Sequence, residues 1–174
     1  MKIINNILSF SSSIEDNPIS TGEVLPHYKI NEHTLALIPI KHIDYQTVAL
    51  QGNKTLYIKK TPIEIIEKGC LDHFMTFEGR RKAITHHTGW TRKVPIPISI
   101  HQSITTFPTH ALKNGKCCWL FYHQIEAILE DSHNNGRSIV LFKDGMQITL
   151  LVKASELKGQ LERTRLLLER MVGI

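Results

Sequence analysis

The sequence has 174 residues, of which 41% are hydrophobic, and its formal net charge is +5. This length and apolar content fit one globular domain with a buried core. The three cysteines contain no CxxC pair, no secretory cleavage signal follows the start, and no apolar run reaches the roughly 18 residues of a membrane helix, so we expect a reduced, cytoplasmic protein that does not contact membranes.

The N-terminal part of the chain is polar and then turns apolar. Residues 1–22 are rich in turn-forming side chains and predict a flexible extension, followed by a folded domain over residues 23–174. Residues 27–40 alternate weakly and then become continuously apolar, which predicts a pair of strands. Residues 45–60 repeat this pattern around Gly52, which favours a β-hairpin.

A helix start follows the hairpin. Thr61, Pro62 and Glu64 fit an N-cap, a first helical position and the reciprocal glutamate of a capping box. Gly69 lowers helix stability, so the helix is expected to bend or stop there. One buried stripe is predicted along it, formed by Ile63, Ile66, Cys70 and Phe74.

The next segment, residues 77–95, reads FEGRRKAITHHTGWTRKVP. It predicts a loop or a short helix around residues 79–87. Pro95, Pro97 and Pro108 then exclude a long helix, because each lacks a donor and biases the preceding residue toward extended backbone. Extended structure with the character of an edge strand is therefore expected.

The C-terminal third gives strand and helix signals. Residues 117–122 and 125–129 predict strands, and residues 137–152 predict a hairpin turning at Asp144-Gly145. Because both faces of this hairpin are apolar, we expect a central position in the sheet. The chain is thus predicted to be α+β, an antiparallel β-rich single domain with a short central helix and a C-terminal helix. The stripe and cap of the last helix are Leu157, Leu161, Thr164, Leu168, Met171 and Gly173.

The positive charge is concentrated in one segment. Residues 79–125 contain seven basic side chains and no Asp or Glu, whereas the rest of the chain has fourteen basic against sixteen acidic side chains. Arginine matches phosphate oxygens with a planar fork and lysine is a mobile point charge, so unopposed side chains of both kinds predict contact with a polyanion. A solvated surface patch is the alternative. The basic residues are Arg80, Arg81, Lys82, Arg92, Lys93, Lys113 and Lys116.

Residue spacing gives little support for catalysis or metal binding. His86-His87, His110 and Cys117-Cys118 lack the separations at which zinc ligands occur. No nucleophile motif frames a Cys and His pair or a Ser and His pair, and no glycine-rich phosphate loop is present. We therefore expect a protein that is not an enzyme and that needs no metal or other cofactor.

Two tryptophans border the basic segment. Trp119 lies inside an apolar run and is expected in the core. Trp90 lies beside Thr91 and Arg92, which makes it the better candidate for a surface contact, including stacking on bases.

Several short motifs occur in a fixed order over roughly residues 30–172. In this order and spacing the chain resembles the ComK competence transcription factors of Gram-positive bacteria. The family's Gly-Arg/Lys-Lys-Ala pattern falls on Gly79, Arg81, Lys82 and Ala83. The motifs are IEIIEKGC at 63–70, EGRRKA at 78–83, FPT at 107–109, CCW at 117–119 and IEAI at 125–128.

The resemblance implies a cytoplasmic activator that binds AT-rich boxes of double-stranded DNA, largely through the minor groove, as paired dimers upstream of DNA-uptake genes. It also implies regulated turnover, with a proteolytic adaptor as a partner, and a polar tail after the last helix. Because the last helix is predicted to end at about Val172 and the sequence stops shortly after it, we expect a C-terminally truncated member. The candidate DNA-binding residues are Arg80, Arg81, Lys82, Trp90, Arg92, Lys93 and Lys116.

A second class of function stays open. The basic face can dock an acidic protein partner, as in an interaction module or a regulator that acts by heterodimerisation. The C-terminal helix either mediates dimerisation or packs on the sheet of its own domain.

Overall fold

The computed structural model of the protein describes residues 23–173, and the predicted extension over residues 1–22 lies outside them. The helices are α1 (Pro62–Asp72), α2 (Phe77–Thr88) and α3 (Ala154–Val172). None of these helices is long and apolar enough to span a bilayer, a finding that covers the described residues alone. The strands are β1 (Val24–Leu25), β2 (Thr34–Pro39), β3 (Thr47–Gln51), β4 (Lys54–Ile58), β5 (Ile96–Ser99), β6 (Ile104–Pro108), β7 (Trp119–Phe121), β8 (Ile125–Glu130), β9 (Ser138–Phe142) and β10 (Gln147–Leu150).

The strands form two sheets. The larger has the order β1-β4-β3-β2-β7-β6-β5, and the smaller has the order β10-β9-β8. Within the described part of the chain, only the pairing of β1 with β4 is parallel. The predicted α+β fold rich in antiparallel strands is therefore confirmed. The hairpin around Gly52 joins β3 to β4, and the proline-containing β5 lies at a sheet edge, as predicted.

The larger sheet is buried on both faces. Val48 and Leu50 of β3 belong to a core shared with the smaller sheet and α3, whereas Ala49 between them belongs to a second core shared with α1 and α2. Successive strand residues point to opposite faces, so one continuous apolar run can supply both cores. The fold consequently has α1 and α2 on one side of the larger sheet and the smaller sheet on the other, while α3 contributes Ala154 and Leu157 to the first core and Leu167 to the second.

Two strand predictions need correction. The segment 27–31 is not a strand; Tyr28 is fixed instead by its hydroxyl, which lies 2.7 Å from Thr34 Oγ1 and donates to Gln51 Oε1 at 2.9 Å. The hairpin of β9 and β10 is not central, since β10 is the edge of the smaller sheet. Its burial alternates along each strand, so its second apolar face is half-exposed. An apolar face in the sequence does not guarantee a partner layer in the fold.

The turn of that hairpin also differs in detail. The prediction assigned positive φ angles to the Asp144-Gly145 pair, but Gly145 alone of the two adopts one, at 88°. The Gly145 N–H donates to the carbonyl of Phe142 at 2.9 Å, and Phe142 N–H donates to Met146 O at 2.8 Å. This is a three-residue connection with a left-handed glycine, in place of a two-residue turn.

Helix α1 begins as predicted and continues past its glycine. The Thr61 side chain accepts from Glu64 N–H, and the Thr61 N–H donates to the Glu64 carboxylate at 2.8 Å. Gly69 lies within the helix, where an added Cβ would lie 2.8 Å from Ile30 Cδ1. The glycine therefore permits a close approach to the core, and the helix does not stop there. Phe74 was wrongly placed in the buried stripe, because the chain leaves the helix after Asp72 and Phe74 is fully exposed.

Helix α3 packs on its own domain, but its buried stripe is shifted from the predicted one. Leu157 and Thr164 are buried as expected, together with Gln160 and Leu167, which the prediction omitted. Of the predicted stripe, Leu161 and Leu168 are half-buried and Met171 is exposed. Gly173 ends the helix with a φ of 75° and donates to Glu169 O, as predicted. A polar glutamine is thus buried where a leucine stripe was expected.

Replacing Phe74 with glycine is expected to stabilise the protein. Phe74 has a φ of 60°, a left-handed conformation that non-glycine residues adopt at a cost in free energy. Its side chain is fully exposed and packs against no other residue. Relief of this strain, less the added freedom of glycine in the unfolded chain, should raise the free energy of unfolding by about 0.5–1 kcal/mol in urea titrations. Phe74→Ala is the control, since it keeps the strain; equal stability of both variants would show that the strain is absent.

Candidate nucleic-acid interface

The basic segment is mostly helix α2, longer than the loop or short helix that was predicted. The Thr76 side chain caps it by accepting from Gly79 N–H at 3.0 Å. Gly89 ends it with a φ of 75°, and its N–H donates to Thr85 O at 2.8 Å. The helix covers 12 residues and buries only Phe77 and Ile84. Most of its surface is therefore available to a partner.

Helical geometry spreads the three adjacent cations of α2 over its circumference. Consecutive residues of a helix are about 100° apart. Arg80 and Arg81 flank the buried face and are half-exposed, whereas Lys82 lies on the exposed side. These three side chains, which the sequence groups together, are consequently not directed at one flat surface.

Arg81 is tied to its surroundings. Its guanidinium donates to Glu78 Oε2 at 3.5 Å and to the carbonyl of Thr91 at 3.4 Å. It bridges the first turn of α2 to the chain that follows the helix. An open groove of about 410 Å³ runs there, lined by Glu78, Gly79, Arg81, Lys82, Thr85 and Thr91.

Lys93 is likewise paired with an acid. Its backbone is left-handed, with a φ of 49°, and its Nζ lies 3.4 Å from Glu156 Oε2 of α3. The segment that has no acids in the sequence is therefore not free of acids in space, which corrects the expectation that its cations are uncommitted. Such surface pairs contribute less than about 1 kcal/mol and remain open to exchange with a phosphate.

Helix α3 holds the chain that follows α2. Gln160 Nε2 donates to the carbonyls of Lys93 at 2.9 Å and Pro108 at 3.2 Å, and Gln160 is buried. Arg163 donates to Arg92 O at 3.1 Å and to Gln160 Oε1 at 2.8 Å. We call this set of contacts the α3 clamp. Sequence reasoning missed it; a polar Gln160 three residues after Leu157 on a buried stripe was the available signal.

Trp90 is part of the same arrangement. Its ring is half-buried against the core beneath α1 and α2, and the Arg163 guanidinium lies 4.5 Å from the ring centroid. One face of the indole is therefore covered by α3, in a cation–π contact. Trp119 is buried in the core, as predicted.

Lys116 lies on the separate loop between β6 and β7, and its charge acts on His110 together with that of Lys93. Burial lowers the pKa of His110, and the nearby positive charges of Lys93 and Lys116 lower it further. His110 is consequently neutral at neutral pH. Within residues 23–173, four of the six candidate DNA-binding cations form no ion pair with an acid: Arg80, Lys82, Arg92 and Lys116.

The cysteines are poorly suited to nucleophilic chemistry. All three are buried and free, and burial raises the pKa of Cys70 to about 11 and that of Cys118 to about 12. The pKa of Cys117 is also raised, by burial first. Across the described residues, no three His, Cys, Asp or Glu side chains are grouped so that they could hold a metal ion.

Thiol labelling is expected to be slow in the native protein. A pKa near 11 leaves about one thiol in a thousand as the reactive thiolate at pH 8, and burial restricts access further. A chromogenic disulfide reagent should react rapidly with three thiols only after unfolding in urea. Rapid labelling of one thiol in the folded protein would contradict this prediction and identify an accessible thiolate.

Fold and surface together define a class of protein, namely a β-rich α+β protein whose excess cations lie on one helix and the chain that follows it, as in proteins that bind polyanions. A family model described as ComK protein matches residues 25–172. The chain belongs to the ComK family.

One curated relative is similar over most of its length. The competence transcription factor of Bacillus subtilis (strain 168) is 22% identical over 146 residues, which are 83% of this chain and 74% of that protein. No solved structure matches the chain.

Proposed function

We propose that this protein is a transcriptional regulator of competence genes that binds AT-rich double-stranded DNA through α2 and residues 89–93. Membership of the ComK family and similarity to a competence transcription factor support the regulatory role. Because this is a family of transcription factors, it also supports the proposal that the protein is not an enzyme. The observation that carries DNA binding is the concentration of cations in one acid-free stretch of sequence, residues 79–125, where four of the six candidate cations form no ion pair in the described chain: Arg80, Lys82, Arg92 and Lys116.

The shape of the DNA minor groove favours AT-rich binding sites for a cationic surface. Tracts of A and T have a narrow minor groove with an enhanced negative potential, which attracts arginine and lysine. Arg92 and Lys82 are exposed and project from different parts of the site, so they can reach phosphates on either side of such a groove. Arg81 and Lys93 are added contacts if phosphates displace Glu78 and Glu156. We propose residues 23–174 as the DNA-binding domain, acting in the cytoplasm as a dimer or a pair of dimers.

Gel-shift with tandem A-tract and T-tract boxes at varied spacing tests the proposal. Preference for AT-rich over GC-rich duplexes, with affinity that depends on box spacing, is the expected result. Equal affinity for both duplexes would reduce the site to a general polyanion surface. Absence of binding would favour the alternative, an interaction module whose basic face docks an acidic protein.

The salt dependence of the DNA-binding constant is expected to report the number of phosphate contacts. Four cations without acid partners predict a slope of log K against log salt of about −3.6 per subunit, and about twice that for a dimer. Fluorescence anisotropy of labelled duplex between low and moderate salt measures it. A flat response would contradict the electrostatic interface, whereas a much steeper slope would show that Arg81 and Lys93 exchange their carboxylates for phosphates.

A further inference from the structure

The connection between α1 and α2 displays an aromatic side chain that touches nothing. Phe74 is fully exposed, although its backbone position is fixed. Its N–H donates to Leu71 O at 3.0 Å, and the N–H of Met75 donates to Cys70 O at 3.1 Å. His73 adds a contact of 3.0 Å to Gly69 O. The phenyl ring is therefore presented from a rigid turn.

Folding gives no reason for phenylalanine at this position. The side chain remains fully exposed to solvent, so it adds nothing to the stability of the core. Its left-handed φ of 60° is one that glycine or asparagine would adopt more easily. Exposed strain of this kind is typical of functional sites. The ring is accordingly explained better by a partner than by the fold.

The surroundings of Phe74 are apolar and then cationic. Leu71 near the end of α1 is 57% exposed and Met75 is 38% exposed, so three large apolar side chains are exposed within five residues of the chain. Helix α2 starts three residues later at Phe77, and at about 1.5 Å per residue Lys82 lies about 8 Å along the helix axis from Phe77. The two adjoining acids are neutralised locally, Asp72 by Lys68 and Glu78 by Arg81.

We propose that Phe74 is a wedge that inserts between stacked base pairs of the duplex from the minor groove. This inference deepens the function proposed above and rests on it. Phe, Leu and Met side chains inserted in this way unstack one base step and bend the duplex by about 20–90°. The cations of α2 hold the flanking phosphates while the ring enters. Flexible TA steps unstack most easily, so the wedge provides a second source of AT preference, through deformability.

Charge favours DNA over a second copy of this chain as the occupant. A two-fold interface centred on Phe74 would place the same patch of both copies face to face. It would bring the α2 cations, Arg80 and Lys82 among them, toward their counterparts, and neither joins an ion pair within residues 23–173 that would offset the repulsion. A DNA duplex can accept the apolar ring between its stacked bases and can pair its phosphates with the cations of α2.

Bending of the duplex tests the wedge. The probe is a duplex with tandem AT-rich boxes, labelled at its ends for energy transfer and carrying a fluorescent adenine analogue within the boxes. The wild-type protein is expected to bring the ends together and brighten the analogue. Phe74→Ala should lose most of both signals, with an affinity loss of tenfold or less, and Phe74→Leu should restore part of them. Ile43→Ala, which truncates a side chain that is 96% exposed, is the matched control.

Three results would overturn the wedge. Bending that is unchanged in Phe74→Ala would show that the ring does not enter the stack. Loss of self-association in sedimentation without loss of bending would assign Phe74 to an interface between copies. Failure of the wild-type protein to bind any duplex would overturn the proposed function itself, and the wedge with it, whereas the first two results leave DNA binding intact.

Discussion

Replacing Lys82 and Arg92 together with alanine is expected to weaken binding to AT-rich duplex about 30-fold near 0.15 M salt, because each phosphate contact releases about 0.9 of a counterion. Both side chains are exposed, and neither has an acid partner among residues 23–173, so the loss falls on the complex and leaves the fold intact. Anisotropy titrations should show a salt slope that is less steep by about two. The loss should be similar for AT-rich and GC-rich duplexes if both residues contact phosphates only.

The matched control is Lys54→Ala with Lys143→Ala. Both lysines are exposed; Lys54 is the first residue of β4 and Lys143 lies in the β9–β10 connection. The two replacements remove the same formal charge as those of Lys82 and Arg92. Equal weakening by the two double variants would mean that net charge, and not the surface around α2, governs binding. Unchanged melting temperatures in both double variants are needed for the comparison.

Replacing Gln160 with leucine is expected to lower both the stability of the fold and the affinity for DNA. Leucine has a similar size but leaves the carbonyls of Lys93 and Pro108 and the Arg163 guanidinium without the partner that Gln160 supplies. Loss of hydrogen-bond partners for buried groups should lower the free energy of unfolding by about 2–4 kcal/mol. Urea unfolding measures this directly. DNA affinity should fall as well, since Arg92 and Lys93 lose their fixed positions.

Gln46→Leu is the control for Gln160→Leu. Gln46 is exposed, and its amide makes one long contact of 3.4 Å with Lys59 O, so its replacement should change stability by less than about 0.5 kcal/mol. If Gln160→Leu were as stable as the wild type, the α3 clamp would not determine the position of Lys93. If it were destabilised while DNA affinity stayed the same below its melting range, the clamp would support the fold alone.

Local signals in the sequence predicted local structure well. The capping box of Thr61 and Glu64, the hairpin around Gly52 and the cap at Gly173 each depend on residues close in the chain, and all were confirmed. Local patterns failed where a distant layer decides. The β9–β10 hairpin is apolar on both faces. Only the arrangement of the two sheets shows that one of these faces is half-exposed because no further layer packs fully against it.

The same limit applies to the candidate site. A count of charges along the chain located the basic segment but could not show that Glu156, 63 residues away, pairs with Lys93. Hydrophobic periodicity located α3 but could not show that Gln160 would bind the backbone of Lys93. Composition therefore predicted which residues carry the charge. The contacts that orient them depend on tertiary packing.

The α3 clamp also has a consequence for protein synthesis. Gln160 follows Lys93 by 67 residues, so the ribosome completes the cationic segment long before the helix that holds it. A chain interrupted by stalled translation, or cut by a protease before α3, would retain Arg92 and Lys93 but lack the contacts from Gln160 and Arg163 that hold their backbone. Such fragments should bind DNA weakly and without preference. Under the proposed function, such incomplete products would compete poorly with the intact chain for DNA.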